Sequence, residues 1–203
     1  MGKKEKLEEL NQKALTDKSL PLRGGATNLV FGVGNPDTKI VFIGEGPGYW
    51  EDQKAEPFVG NAGALLNRLL LSIRLERGDV FITNMVMFRP PENRDPEPEE
   101  LAAFAPYVDG IIEIISPKVV VTLGRFSMAK FLPGVTISRV HGKPYEITWQ
   151  GKDLMVVPMY HPAAALRNGE VLRQTQADFQ KLPEILSKIP KPAIIRGEQM
   201  GLL

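Results

Sequence analysis

Four short apolar runs, separated by stretches with helical spacing, constrain this chain more than any other feature. They are Lys39–Ile43, Val80–Asn84, Lys118–Leu123 and Leu154–Pro158. Each is too short for a core helix and rich in Val, Ile or Phe, so each reads as a buried strand. Between them, Ala62–Ile73 carries Leu65, Leu66, Leu69 and Leu70 at helical spacing. Pro98–Ile115 opens with Glu99 and Glu100, which suits the positive end of a helix dipole. Arg125–Leu132 reads as a short helix, and Glu170–Ser187 as a closing helix expected to break near Pro183. Val135–Trp149, with Gly142 and Pro144, reads as a β-hairpin or extended excursion. This alternation predicts a three-layer α/β/α sandwich around a central, mainly parallel four-stranded sheet. Residues 1–30 are expected to form a helix (Lys3–Leu15) and a loop packed on the core, 31–188 the main domain, and 189–203 a tail.

Ligands in open α/β sheets bind beyond the carboxyl ends of the strands. Four segments fall there: Gly44–Gly48, Asn84–Arg89, Gly124–Arg125 and His161–Asn168. Their convergence on one edge is the main functional signal that the residues themselves give. The Gly44–Gly48 turn reads either as an anion cradle or as a plain strand-to-loop turn. Its glycine spacing does not match a dinucleotide fingerprint, Pro47 lacks an N–H, and the phosphate-loop signature is absent.

Composition removes several classes. With no cysteine among 203 residues, disulfides, thiolate zinc sites and cysteine-held iron–sulfur clusters are excluded. Two histidines, His141 and His161, are too few for a histidine-rich metal site, so neither metal nor cofactor is expected. No apolar run is long enough to cross a bilayer, and the reading is a soluble, cytoplasmic protein. The formal net charge is +1, so any nucleic-acid surface must come from local clustering.

Several motifs, in order, resemble the uracil-DNA glycosylases, specifically the thermostable bacterial and archaeal class called family four. They are Gly44-Glu45-Gly46-Pro47-Gly48, Glu51-Asp52, Pro57 to Gly63 with Leu65-Leu66, Ile82-Thr83-Asn84 and Arg89-Pro90-Pro91-Glu92-Asn93-Arg94. Then follow Leu123-Gly124, Gly142-Lys143-Pro144-Tyr145 and His161-Pro162-Ala163 with Leu166-Arg167-Asn168. The likeness runs from about Phe31 to Leu186. It departs in one respect above all: that class carries a four-iron, four-sulfur cluster on four cysteines. The approximate equivalents here are Asp17, Leu20, Phe88 and Phe104, which suggest an apolar patch where the cluster would sit. Tyr49-Trp50, and Ala55-Glu56 before Pro57, also depart from the usual residues.

The resemblance implies a monofunctional enzyme that flips uracil out of DNA and hydrolyses its N-glycosidic bond, with no lyase step. It assigns Phe58 as the stacking face and Asn84 as the reader of the uracil edge, with Gly44 and Gly48 also lining the base site. An amide that accepts from N3–H and donates to O4 is mismatched to cytosine. His161 is implied as the donor to uracil O2, helped by backbone N–H groups near Gly46. The position where other uracil glycosylases hold a water-activating Asp is Gly46, which leaves that task to Glu45 or to water held by backbone. Leu166, Arg167 and Arg89 are implied to meet the DNA. His141 is read as structural or DNA-facing.

The alternative is a non-catalytic DNA- or uracil-binding module of the same fold. A covalent uracil trap would need a histidine between Arg89 and Pro98, and none is present. A hydrolase of free nucleotides would need a basic phosphate site, and no such cluster is seen. A monomer is expected. The end of the chain, Gln199-Met200-Gly201-Leu202-Leu203, looks like the peptide by which bacterial repair proteins dock on the sliding clamp.

Overall fold

A computed structural model describes residues 1–188. In chain order its elements are α1 (Lys3–Thr16), β1 (Val33–Gly34), β2 (Ile40–Gly44), α2 (Tyr49–Lys54), α3 (Asn61–Ser72) and β3 (Phe81–Asn84). Then come α4 (Pro98–Ile115), β4 (Val119–Leu123), α5 (Arg125–Phe131), α6 (Ile137–Val140), β5 (Tyr145–Trp149), β6 (Lys152–Met159), α7 (Pro162–Arg167) and α8 (Gly169–Ser187).

The sheet order is β1-β3-β2-β4-β6-β5. Its inner four strands are mutually parallel and are the four apolar runs of the sequence. The sheet has six strands, not four, because an antiparallel strand lies on each edge. β1 is two residues long and holds Gly34, so it carries no apolar period to read. β5 pairs with β6, so the hairpin in this region lies between 145–149 and 152–159 and not within 135–149. The short helix α6 occupies the start of that stretch.

Alternation along the strands builds the three layers. Val41, Ile43, Val120 and Val156 face one cluster with Leu7 and Ala14 of α1, Phe104, Val108 and Ile111 of α4, and Phe131 of α5. Ile40, Phe42, Val121 and Val157 face the other, with Leu66 and Leu70 of α3, Ala165 of α7, and Phe179 and Leu182 of α8. α8 does not break at Pro183. An internal proline costs a helix about 3 kcal/mol. Burial of Phe179, Leu182 and Ile185 around it offsets that cost, at about 1.5–3 kcal/mol per large apolar side chain.

The four positions where the resemblance places cluster cysteines come together. Leu20, Phe88 and Phe104 are buried in one apolar cluster, and the two phenyl rings meet edge to face at 6.1 Å. Arg23 lies over Phe88 at 4.8 Å and donates to the carbonyls of Ala14 and Asp17. The Asp17 carboxylate accepts from Tyr107 Oη at 2.6 Å and from Ser19. These bonds hold Asp17 down to about 2, while burial and Asp17 push Tyr107 up to about 12. The site offers hydrocarbon and a single carboxylate already committed to hydrogen bonds. These residues do not fit an iron–sulfur cluster.

Candidate active site

The parallel strands reverse order around β2: the chain steps from β2 to β3 on one side, then returns to β4 on the other. Such a switch point opens a crevice at the carboxyl ends, where an α/β sheet binds its ligands. A cavity of about 310 Å³ lies there, lined by Glu45, Gly46, Gly48, Phe58, Asn84, His161 and Arg167 among others.

Asn84 ends β3, paired in register with Gly44 at the end of β2. Its side chain is 1 % exposed, yet Oδ1 has no hydrogen-bond partner among the described residues. A buried polar atom left so costs about 1–3 kcal/mol unless a ligand satisfies it. Gly44 makes the arrangement possible. A Cβ there would stand 2.3 Å from Asn84 Oδ1 and 2.7 Å from the Phe58 ring. The missing side chain lets amide and phenyl ring share one slot.

Phe58 is held in a left-handed backbone conformation, φ 55°. Such a residue costs on the order of 1–3 kcal/mol and needs its surroundings to fix it. Three groups do so. Arg77 donates to the carbonyls of Pro57 at 2.7 Å and Phe58 at 3.1 Å, and pairs with Glu56. Glu51 accepts from the Val59 and Gly60 N–H groups at 2.9 and 2.8 Å. Gly63 lets α3 run against the Phe58 carbonyl, which a Cβ would meet at 1.8 Å.

His161 caps α7: its Nδ1 accepts from Ala163 N–H at 3.1 Å. That bond requires a lone pair on Nδ1, so the neutral ring carries its proton on Nε2. Burial pulls its pKa down to about 4 against the opposing charge of Glu51. The ring lies 5.6 Å from Phe58, tilted by 30°.

Glu45 is partly committed. Its Oε1 accepts from Phe126 N–H at the start of α5 at 3.2 Å, and burial raises its pKa above the usual carboxylate range. At Gly46 a Cβ would meet a Val86 methyl at 2.8 Å, so that position has little space for a side chain. Across the mouth, Arg94 makes a two-pronged pair with Glu100 at 2.8 and 2.6 Å, and Arg125 pairs with Asp95.

Gly48, Phe58, Asn84 and His161 therefore meet in one cavity, whereas Gly44 sits beside Asn84 and Phe58 without lining it. Leu166 and Arg89 do not line it. Leu166 stands 46 % exposed on α7, and Arg89 lies over the Tyr49 ring at 5.2 Å. His141 belongs elsewhere, bonded to the buried Asp178 at 2.5 Å and 4.5 Å from the Tyr160 ring. Sequence reasoning missed Arg77, Asp95 and the bridging task of Glu51. Arg77 and Asp95 sit in ordinary polar loops and give no periodic signal.

The uracil DNA glycosylase superfamily profile matches residues 31–186. The type-4 uracil-DNA glycosylase of Archaeoglobus fulgidus is 45% identical over 190 residues, 91% of this chain and 95% of that protein. That of Sulfurisphaera tokodaii is 43% identical over 88% of this chain and 84% of its own. That of Thermotoga maritima is 42% identical over 92% and 97%. With so much of each chain aligned, this protein belongs to the uracil-DNA glycosylase superfamily, among its type-4 members.

Proposed function

We propose that the chain is a monofunctional uracil-DNA glycosylase, a DNA-repair hydrolase, and that the cavity beyond β2 and β3 receives a uracil flipped from the strand. The observation that carries this reading is the buried Asn84 side chain, its Oδ1 without a partner among the described residues, beside Phe58 across the gap left by Gly44. Uracil brings what this slot wants: a flat face for Phe58, an N3–H for Asn84 Oδ1 and an O4 for its amide nitrogen.

Excision breaks the C1′–N1 bond, and the electron pair leaves with uracil. His161, neutral with its proton on Nε2, donates to O2 as negative charge builds there. A preorganised donor of this kind contributes about 3–4 kcal/mol at the transition state. Water adds to C1′, and the proton it loses passes through solvent to the departed uracil anion, leaving an abasic site and free uracil. Glu45 orients that water through the oxygen that Phe126 does not engage, assisted by backbone near Gly46. Gly48 borders the slot. Leu166 enters the vacated stack, and Arg167 and Arg89 meet phosphate. No step uses an iron–sulfur cluster.

Asn84→Ala tests the reading. Uracil release under single turnover should fall by at least a hundredfold while affinity for uracil-free DNA stays within about twofold, because Asn84 meets the base and not phosphate. An unchanged rate would move the base pocket elsewhere.

The protein acts as a cytoplasmic monomer; among the described residues no helix is long and apolar enough to cross a membrane. The sliding-clamp peptide Gln199–Leu203 lies outside the described residues. Titrating a peptide of residues 191–203 against a bacterial clamp tests it, and no binding at ~100 μM, about −5.5 kcal/mol, would end that idea.

A further inference from the structure

Tyr49 and Trp50 open α2 directly after the Gly44–Gly48 turn. They are 49 % and 58 % exposed, and they are the only exposed aromatic side chains among the described residues. A lone exposed apolar residue needs no explanation. Two large aromatic rings side by side, between the cavity-lining Gly48 and Glu51, are another matter. Their centroids are 5.1 Å apart and their planes 78° apart, so they cannot stack on one flat ligand together. Arg89 covers the Tyr49 ring and is anchored to Asn93, a cavity-lining residue, at 2.7 Å. That leaves the indole of Trp50 as the open face.

The indole is tied to the base pocket. Its Cδ1 lies 3.6 Å from the point a Gly60 Cβ would occupy. Gly60 is two residues from Phe58, at most about 7 Å of chain, and Glu51 clamps α2 onto Gly60 through its carboxylate. Trp50 stands between Gly48 and Glu51, both of which line the cavity that holds Phe58, so its indole borders that cavity. Nearby, Arg94 is paired with Glu100, whereas Arg89 and Arg167 pair with no carboxylate among the described residues. A π-face beside guanidinium groups suits a nucleobase on a phosphate backbone.

The geometry points to Trp50 as a stacking platform for an unpaired base next to the flipped uracil, which makes single-stranded uracil-containing DNA a favoured substrate. This rests on the glycosylase reading of the cavity. In a duplex, a flanking base stays paired and keeps its outer stack, with Leu166 against the vacated face, and offers the indole nothing. In a single strand, the base turns onto the indole at little cost. Tyr49 serves a different end, holding Arg89 toward phosphate.

The test measures binding to strands carrying 2′-fluoro-deoxyuridine, whose glycosidic bond resists cleavage, so it stands apart from whether excision occurs. Trp50→Ala should weaken Kd for the single strand about tenfold or more, within the range of one base–aromatic stack. For a U·G duplex the change should stay under about twofold, and Trp50→Phe should restore most of the loss. Equal weakening on both substrates, or none on either, overturns the proposal. A second measurement does not depend on the alanine variant folding. The chain has two tryptophans, and the other, Trp149, packs on Phe131 away from the cavity. In Trp149→Phe, saturating single strand should quench the remaining indole emission more than duplex does; unchanged emission on saturation contradicts the stack. Failure of the glycosylase reading shows differently, as wild-type protein that releases no uracil.

Discussion

In the proposed mechanism, His161 and Asn84 each keep one hydrogen-bonding atom for the base, Nε2 of the one and the unpartnered Oδ1 of the other. For His161, the Ala163 N–H takes Nδ1 and burial keeps the ring neutral down to about pH 4. The sign of the linkage follows. Between about 6.5 and 4 the unfolded chain binds a proton that the folded protein refuses, so stability falls as pH falls through that window. His161→Gln should flatten that part of the stability curve in urea titrations. The same residue makes a kinetic prediction: single-turnover excision should show no inflection near pH 6.5. A break there would mean that the ring is protonated at work. The place of His161 at a strand end was legible in the sequence, and its role came from the resemblance. Its tautomer was not, because that depends on one backbone N–H two residues away.

At the scale of elements, the segment from Glu56 to Gly60 is the part most dependent on its surroundings. Arg77 reaches it from the loop before β3 and holds two of its carbonyls. Arg77→Ala should lower the excision rate at saturating DNA about tenfold, because Phe58 leaves its left-handed conformation and the base loses its face. Affinity for uracil-free DNA should not move; a parallel fall would make Arg77 a general structural residue. The patch in place of a cluster makes a separate claim. Phe104 is fully buried against Phe88, so Phe104→Ala should destabilise by about 3–5 kcal/mol. Chemical denaturation measures this, and a loss under about 1 kcal/mol would show that the patch does not staple the fold. The sequence announced that patch through two phenylalanines at expected positions. It was silent on Arg23 and Tyr107, which close the patch through carbonyl and carboxylate contacts that no spacing encodes.

For the molecule as a whole, the parallel core was readable because each inner strand is apolar on both faces. Of the edge strands, β1 is too short to show a period; β5 falls within the stretch read as a hairpin or extended excursion, but its pairing with β6 was not legible. The cavity was legible in outline, as strand ends converging on one edge. Its depth comes from Gly44, Gly63 and the Arg77 clamp acting across distant parts of the chain. The central claim is that this cavity removes uracil from DNA. The most direct measurement incubates the protein with single-stranded oligonucleotides that differ at one position (uracil, thymine or cytosine), then treats them with hot alkali to cut abasic sites. Cleavage at uracil alone, with free uracil released in equal amount, is the predicted result. Intact uracil strands under conditions where the protein demonstrably binds them would contradict the account and leave a binding module of the same fold.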